Sequence, residues 1–172
     1  MSQLVRVAAY HPSLGLDEAF DLVRDFRRHA LRSDAVRSVT IEEQPDGTMI
    51  SHWEVNFRRG ILIWSEFDEF DFAARTLRFR RRDGDPAALE GSWTVLEGPS
   101  GEGCVVTFEA EFDIGIPTMR KMLEPLAART MQDNIVQTMR GVFGDALDIT
   151  STQEDTTTPR RHRDAQAVHE RE

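Results

Sequence analysis

The 172-residue chain has one cysteine, Cys104, and one tyrosine, Tyr10. A single cysteine excludes an internal disulfide and any cysteine-based zinc knuckle. No apolar run approaches the roughly 18 residues that a membrane span needs. Met1 to Ala9 lack a basic segment leading into a long apolar stretch, so no signal peptide is expected. Neither a glycine-rich phosphate loop nor a G-x-S-x-G turn occurs. The histidines His11, His29, His162 and His169 fall in loops, at a helix end or near the C-terminus, and no pair has metal-ligand spacing. Cys104 has no evident histidine partner to make it a nucleophile. Basic residues are outnumbered, 21 Lys+Arg against 30 Asp+Glu for a net charge of −9. That balance argues against nucleic acid, since phosphate binding needs a net basic face. A cytoplasmic address without metal or cofactor is the expectation.

What is there suits one domain: 40% hydrophobic and 30% charged residues in a chain long enough to bury a core. From Asp148 onward little is apolar, so residues 148–172 are expected as a disordered tail and residues 1–147 as the folded domain. Leu4–Tyr10 reads as a strand, broken by His11-Pro12-Ser13-Leu14-Gly15. In Asp17–Phe26 the apolar Ala19, Phe20, Leu22, Val23 and Phe26 share one helix face, and a short irregular or helical piece follows to about Asp34. Val36–Gln44, Thr48–Arg58, Ile61–Phe72, Thr76–Asp83, Leu89–Leu96 and Gly103–Asp113 alternate with short breaks, as in an antiparallel meander. After Pro117 a helical stripe runs through Met119, Met122, Leu123, Leu126, Met131, Ile135, Met139, Val142 and Ala146, and Pro125 should kink that helix or mark its first turn. The expected fold is α+β: a curved antiparallel sheet of about seven strands around a long C-terminal helix, with an apolar pocket between them.

Turn chemistry gives a register. Pro45-Asp46-Gly47 fits a three-residue loop that sets Val39 opposite Trp53 and Ile41 opposite Ser51. Arg59-Gly60 as a two-residue loop would set Phe57 opposite Leu62, Val55 opposite Trp64 and Trp53 opposite Glu66. Pairing Phe72 with Arg75 sets Phe70 opposite Leu77, Asp68 opposite Phe79 and Glu66 opposite Arg81. Alternation then turns Trp53, Val55, Phe57, Trp64, Glu66, Asp68, Phe79, Trp93, Phe108 and Phe112 inward, and His52, Glu54 and Asn56 outward.

Several of these residues carry a resemblance. Phe20-x-Leu22-Val23-x-Asp25-Phe26, Trp53-x-Val55, Gly60-x-Leu62-x-Trp64-Ser65-Glu66, Phe70-Asp71, Gly84-Asp85, Gly91-x-Trp93-x-Val95 and Phe112-Asp113-x-Gly115-x-Pro117 resemble the START-like (Bet v 1-like) helix-grip superfamily. Within it the chain is similar to the polyketide cyclase/aromatase and coenzyme-Q-binding branch, over about Leu4 to Leu147. The resemblance implies a deep apolar pocket between sheet and C-terminal helix. In polyketide members, that pocket folds a poly-β-ketone carried by an acyl carrier protein for ring closure and aromatisation. One departure stands out. Such aromatase/cyclases carry a pocket arginine two residues past a serine, where this chain has Glu66 and Asp68.

A carboxylate in an apolar cavity has its charged form disfavoured, which suits general acid–base work. Glu66 and Asp68 are therefore the candidate acid–base residues, with Arg81 as a replacement carbonyl polariser from the neighbouring strand. The plain alternative is a structural cross-strand Glu66–Arg81 ion pair. The candidate substrate-binding set is Trp53, Trp64, Trp93, Phe79, Phe108, Met131, Asn134, Ile135 and Tyr10. Its aromatics would stack on a flat ligand, its methionine would form a pliable floor, Asn134 would offer an amide and Tyr10 a hydroxyl at the mouth. The plain alternatives are core packing for the aromatics and the methionine, helix surface for Asn134 and strand-end filler for Tyr10.

The leading functional expectation is a cofactor-independent polyketide cyclase/aromatase. The alternative is a non-catalytic quinone or lipid carrier, and a third reading gives the fold a toxin-like or regulatory interaction role. Expected partners are a hydrophobic or aromatic small molecule, an acyl carrier protein that outward Arg58, Arg59, Arg78, Arg80 and Arg82 would meet, and, for the chain itself, a homodimer. Neither nucleic acid nor stable membrane insertion is expected.

Overall fold

The computed structural model describes the backbone of residues 2–58, 60–115 and 120–156, and side chains within 2–58, 60–115 and 126–153. Chain order is β1 (Gln3–His11), α1 (Leu16–Arg24), α2 (Phe26–Arg32), β2 (Val36–Glu43), β3 (Met49–Phe57), β4 (Gly60–Asp71), β5 (Thr76–Gly84), β6 (Ala88–Glu97), β7 (Cys104–Asp113), α3 (Arg120–Phe143) and β8 (Asp148–Thr156). One antiparallel sheet runs β2-β3-β4-β5-β6-β7-β1-β8. It has one strand more than expected.

The extra strand corrects the boundary at Asp148. Gly144 adopts φ 84° and ends α3, Leu147 is buried, and residues 148–156 pair with β1. β1 would otherwise leave one edge of backbone N–H and C=O groups without strand partners. The ladder therefore orders a polar segment that composition alone marks as unstructured. The rest of the expected tail, residues 157–172, lies outside the described residues.

The inner sheet face is apolar at every second position. Val5, Val7, Ala9, Leu77, Phe79, Leu89, Trp93, Val95, Val106, Phe108, Ala110 and Phe112 join one core. α3 contributes Ala127, Ala128, Met139, Val142 and Phe143 to it. Leu126 remains exposed, and so does Ala146, which lies beyond the end of the helix. The side chains of Met119, Met122 and Leu123 lie outside the described residues. Pro125 falls inside α3 rather than in its first turn.

The stretch before β2 is two helices. Asp25 ends α1 and caps α2, its carboxylate accepting the Arg28 N–H at 3.2 Å. The break rotates Phe26 and His29 into the core together. α2 then closes on α3 so tightly that a Cβ on Gly141 would lie 1.9 Å from the Arg32 carbonyl oxygen.

Candidate functional site

Two of the three expected registers hold. Val39 faces Trp53 and Ile41 faces Ser51, with Gly47 at φ 86°. Phe70–Leu77, Asp68–Phe79 and Glu66–Arg81 also pair as expected, with Arg75 at φ 47° in the turn. The β3–β4 hairpin differs by two residues. Phe57 pairs with Gly60, so the loop is Arg58-Arg59, and Arg58 takes the positive φ of 56°. Arg59 itself lies outside the described residues. A two-residue slip preserves the side-chain face but changes every partner. Trp53 therefore faces Trp64, Ser51 faces Glu66 and Met49 faces Asp68.

That register builds a polar knot in an apolar wall. The Trp53 and Trp64 rings stack at 6.1 Å with 8° between planes. Trp53 Nε1 donates to Ser51 Oγ at 2.8 Å. Ser51 Oγ donates to Asp68 Oδ2 at 2.5 Å and lies 3.3 Å from Glu66 Oε1. Trp64 Nε1 reaches Glu66 Oε2 at 3.5 Å. Ser51 and Asp68 are fully buried and Glu66 is 5% exposed, while Asp68 Oδ1 has no hydrogen-bond partner.

Burial pushes both carboxyls up. For Glu66 desolvation is the larger cause and the Asp68 charge the second, and its pKa stands well above the usual carboxylate range. Asp68 is raised by desolvation to about 7, against which the Ser51 and Glu66 hydrogen bonds pull downward. The two carboxyls interact: the Asp68 charge adds to desolvation in favouring the protonated form of Glu66. Burial and the neighbouring Asp68 thus favour a hydrogen-bond donor in the cavity wall.

Glu66 opens onto a cavity of about 90 Å³ between the sheet, α2 and α3. Trp53, Trp64, Trp93, Phe79, Phe108, Met131, Asn134 and Ile135 line it, as do Phe26, His29, Phe57, Leu62, Leu77 and Thr138. Phe79 and Phe108 stack at 5.7 Å, and Trp93 meets Phe108 edge-on at 5.0 Å. Half-buried Val55, Phe57, Leu62, Trp64, Met131 and Ile135 place the more open side between the β3–β4 hairpin and α3. Ligand pockets usually measure about 300–1,000 Å³, so the walls must part to admit more than a single ring.

Three sequence expectations fail here. Arg81 turns away from the cavity, its Nε and Nη2 donating to the Gly84 carbonyl at 2.9 and 2.7 Å. Although Arg81 is the register partner of Glu66, its guanidinium makes no ion pair with that carboxyl, because the Gly84 carbonyl engages it. Tyr10 lies on the outward parity of β1 and donates to the Glu102 carbonyl at 3.3 Å, away from the cavity. Asp68 does not line the cavity; it stands behind Glu66. Asn134 does line it, yet its Nδ2 is committed to the Asn56 carbonyl at 2.8 Å.

Sequence reasoning missed His29, which it left at a helix end. The available signal was the Phe26-x-x-His29 spacing, which puts both residues on the inner face of a short α2. His29 is 3% exposed and contacts Phe26, Trp53 and Trp93. Burial lowers its pKa to about 4. His52, on the outer face, pairs with Glu42 at 3.0 Å. Among the described residues no cluster of three His, Cys, Asp or Glu can hold a metal ion, and no helix is long and apolar enough to cross a membrane.

Comparisons with known proteins agree with this architecture. No curated protein matches the chain. Among solved structures it is similar to TTHA0849 from Thermus thermophilus, at 25% identity and TM-score 0.74, over 81% of this chain and 93% of that one. It is also similar to the Zhui aromatase/cyclase from Streptomyces sp. R1128, at 17% identity and TM-score 0.70, over 85% and 94%. Ginseng major latex-like protein 151 from Panax ginseng follows at 15% identity and TM-score 0.61, over 82% and 95%. The last two show a shared helix-grip fold. The profile of one family, described as polyketide cyclase / dehydrase and lipid transport, matches residues 14–137. With that match across most of its length, the chain belongs to the polyketide cyclase / dehydrase and lipid transport family.

Proposed function

We propose that the protein binds a poly-β-ketone intermediate in the cavity and promotes its aldol cyclisation and dehydration, as a polyketide cyclase/aromatase. The observation that carries this reading is Glu66, a buried carboxyl on the cavity wall whose proton is held there by desolvation and by Asp68 behind it. In the aldol step, the Glu66 O–H gives its proton to the acceptor carbonyl oxygen as the new C–C bond forms. The resulting Glu66 carboxylate takes the proton that the attacking enol releases as it becomes a ketone. In dehydration, the same acid protonates the departing hydroxyl, water leaves, and the carboxylate recovers a proton from the adjacent carbon. Glu66 is regenerated in both steps and no cofactor enters. The indoles of Trp53 and Trp64 give the flat chain a stacking surface, and exclusion of water suppresses unguided closure.

Delivery by an acyl carrier protein belongs to this reading. Its acidic surface would meet the outward arginines of β5, Arg78, Arg80 and Arg82. Of these, Arg80 lies over Phe67 and Arg82 reaches Asp83. A cytoplasmic site of action and a homodimeric assembly are also part of it.

The test is Glu66→Gln, assayed with a carrier-tethered poly-β-ketone. Ring formation should be lost while ligand affinity stays within a few fold. An unchanged product profile would remove Glu66 from the chemistry. The alternative, a quinone or lipid carrier, is favoured by one observation: Arg81 is turned away to Gly84, so it supplies no cation to polarise a carbonyl. In that case the purified protein should yield a bound quinone by mass spectrometry, and no variant should alter product identity.

A further inference from the structure

The cavity holds a polar atom that the proposed chemistry leaves unused. His29 Nε2 is buried and has no hydrogen-bond partner, on a side chain that lines the cavity and is only 3% exposed. Rings enclose it: Phe26 at 5.6 Å, Trp93 at 5.7 Å and Trp53 at 6.2 Å. A buried polar atom without a partner costs free energy, so native structures rarely keep one without a purpose.

The Leu22 and Val23 backbone raises the His29 pKa, as groups that accept from the ring would, and with Nε2 unpartnered the hydrogen is assigned to the other ring nitrogen. Burial outweighs them and keeps the imidazole neutral above about pH 4. A neutral imidazole has one N–H, so Nε2 presents a bare lone pair. The same cavity also presents the Glu66 carboxylic acid, a donor. The other polar liners are already engaged: Thr138 donates to the Asn134 carbonyl at 2.8 Å and meets Ser33 at 2.9 Å, and Asn134 donates to Asn56.

We propose that His29 is a hydroxyl acceptor of the binding site, so that the cavity selects uncharged, flat ligands that present a hydroxyl, as an enol or a phenol, to Nε2. This rests on the reading of the cavity as a ligand site and not on its being catalytic. An anion is disfavoured at the His29 end, because Nε2 offers a lone pair and the walls around it are chiefly aromatic and aliphatic. For a poly-β-ketone the consequence is definite. The enol tautomer, not the diketone, is the form bound at this end, and His29 positions the carbon that attacks.

The experiment compares 2-naphthol with 2-methylnaphthalene, in which a methyl replaces the hydroxyl, for the wild-type chain and for His29→Phe. The readout is the ratio of the two dissociation constants, obtained by titration calorimetry. In the wild type a buried hydrogen bond should favour 2-naphthol over its methyl analogue by roughly 3- to 10-fold relative to His29→Phe. His29→Phe should retain 2-methylnaphthalene binding. Nitrogen-15 NMR of the wild-type imidazole provides a second measurement that does not depend on the variant folding. Nε2 should be unprotonated in the free protein at pH 7 and shift on addition of 2-naphthol but not of 2-methylnaphthalene. Equal ratios in wild type and variant, or an Nε2 that already carries the proton, would overturn the assignment while leaving Glu66 untouched. If neither probe binds, the cavity is not a site for flat aromatics, and this inference falls together with the reading beneath it.

Discussion

Replacing Asp68 with asparagine should change how stability depends on pH. The folded pKa of Asp68 is about 7, against an ordinary 3.8. The group is raised, so its effect is absent below the unfolded value, where both states hold the proton. As pH rises, the unfolded chain releases that proton first and the fold loses stability, until the loss is complete above about pH 7. Three pH units correspond to about 4 kcal/mol in all, and the part falling between pH 5 and pH 7 is about 2 kcal/mol. Asparagine has no such titration. Glu66 remains in both chains with its burial, the larger cause of its own shift, intact. Urea unfolding followed by tryptophan fluorescence at pH 5, 6, 7 and 8 gives the difference in stability between the two. That difference should move in favour of Asp68→Asn by about 2 kcal/mol from pH 5 to pH 7. A difference flat across this range, or one moving the other way, would mean that Asp68 is an ordinary ionised aspartate and that the polar knot is misread.

Ser51→Ala removes the hydroxyl shared by Trp53, Asp68 and Glu66. It should cost about 1–3 kcal/mol in urea unfolding, and NMR titration should find Asp68 titrating higher still, since the Ser51 bond lowers its pKa. Gly141→Ala forces a Cβ against the Arg32 carbonyl, 1.9 Å away, and should destabilise the α2–α3 contact by about 1–3 kcal/mol, read as a lowered Tm. Arg81→Ala should leave the ring-forming rate unchanged in the carrier-tethered assay, because its guanidinium serves the Gly84 carbonyl; a large loss of rate would return Arg81 to the site.

Much of the fold was legible because a strand alternates with a period of two. Trp53, Trp64, Glu66, Phe79, Trp93 and Phe108 all follow from parity, and parity survives a register error. The β3–β4 hairpin illustrates this: placing its loop at Arg59-Gly60 instead of Arg58-Arg59 kept every inner residue inside while misassigning the neighbours of Trp53 and Glu66. The expected register set Ser51 opposite Asp68; the slip moved Glu66 into that place and set Trp64 against Trp53. Arg81 was misread for another reason. Pairing put it opposite Glu66, but a long side chain goes where its donors are satisfied, and the Gly84 carbonyl was nearer to hand. β8 escaped notice because its stability comes from backbone pairing to β1 rather than from apolar burial. His29 was missed because the break at Asp25, which rotates α2, is set by a cap rather than by hydrophobic period.

Why an acid is held in an apolar wall follows from the arrangement of its neighbours. A lone buried carboxyl would simply stay protonated, and its proton would be hard to give up. The conjugate base of Glu66 has one donor at hand in the wall, the Trp64 indole N–H 3.5 Å from Oε2, while the Ser51 hydroxyl is engaged by Asp68. The site can therefore release and recover one proton without admitting water, which acid-assisted carbonyl chemistry in a closed cavity requires.

The most direct test of the central claim is a carbon-13 NMR titration of the Glu66 side-chain carboxyl in the intact chain, with Glu66→Gln used to assign the resonance. The account predicts a carboxyl that titrates well above the ordinary glutamate range. A resonance that titrates near the ordinary glutamate value of about 4.3 would contradict it.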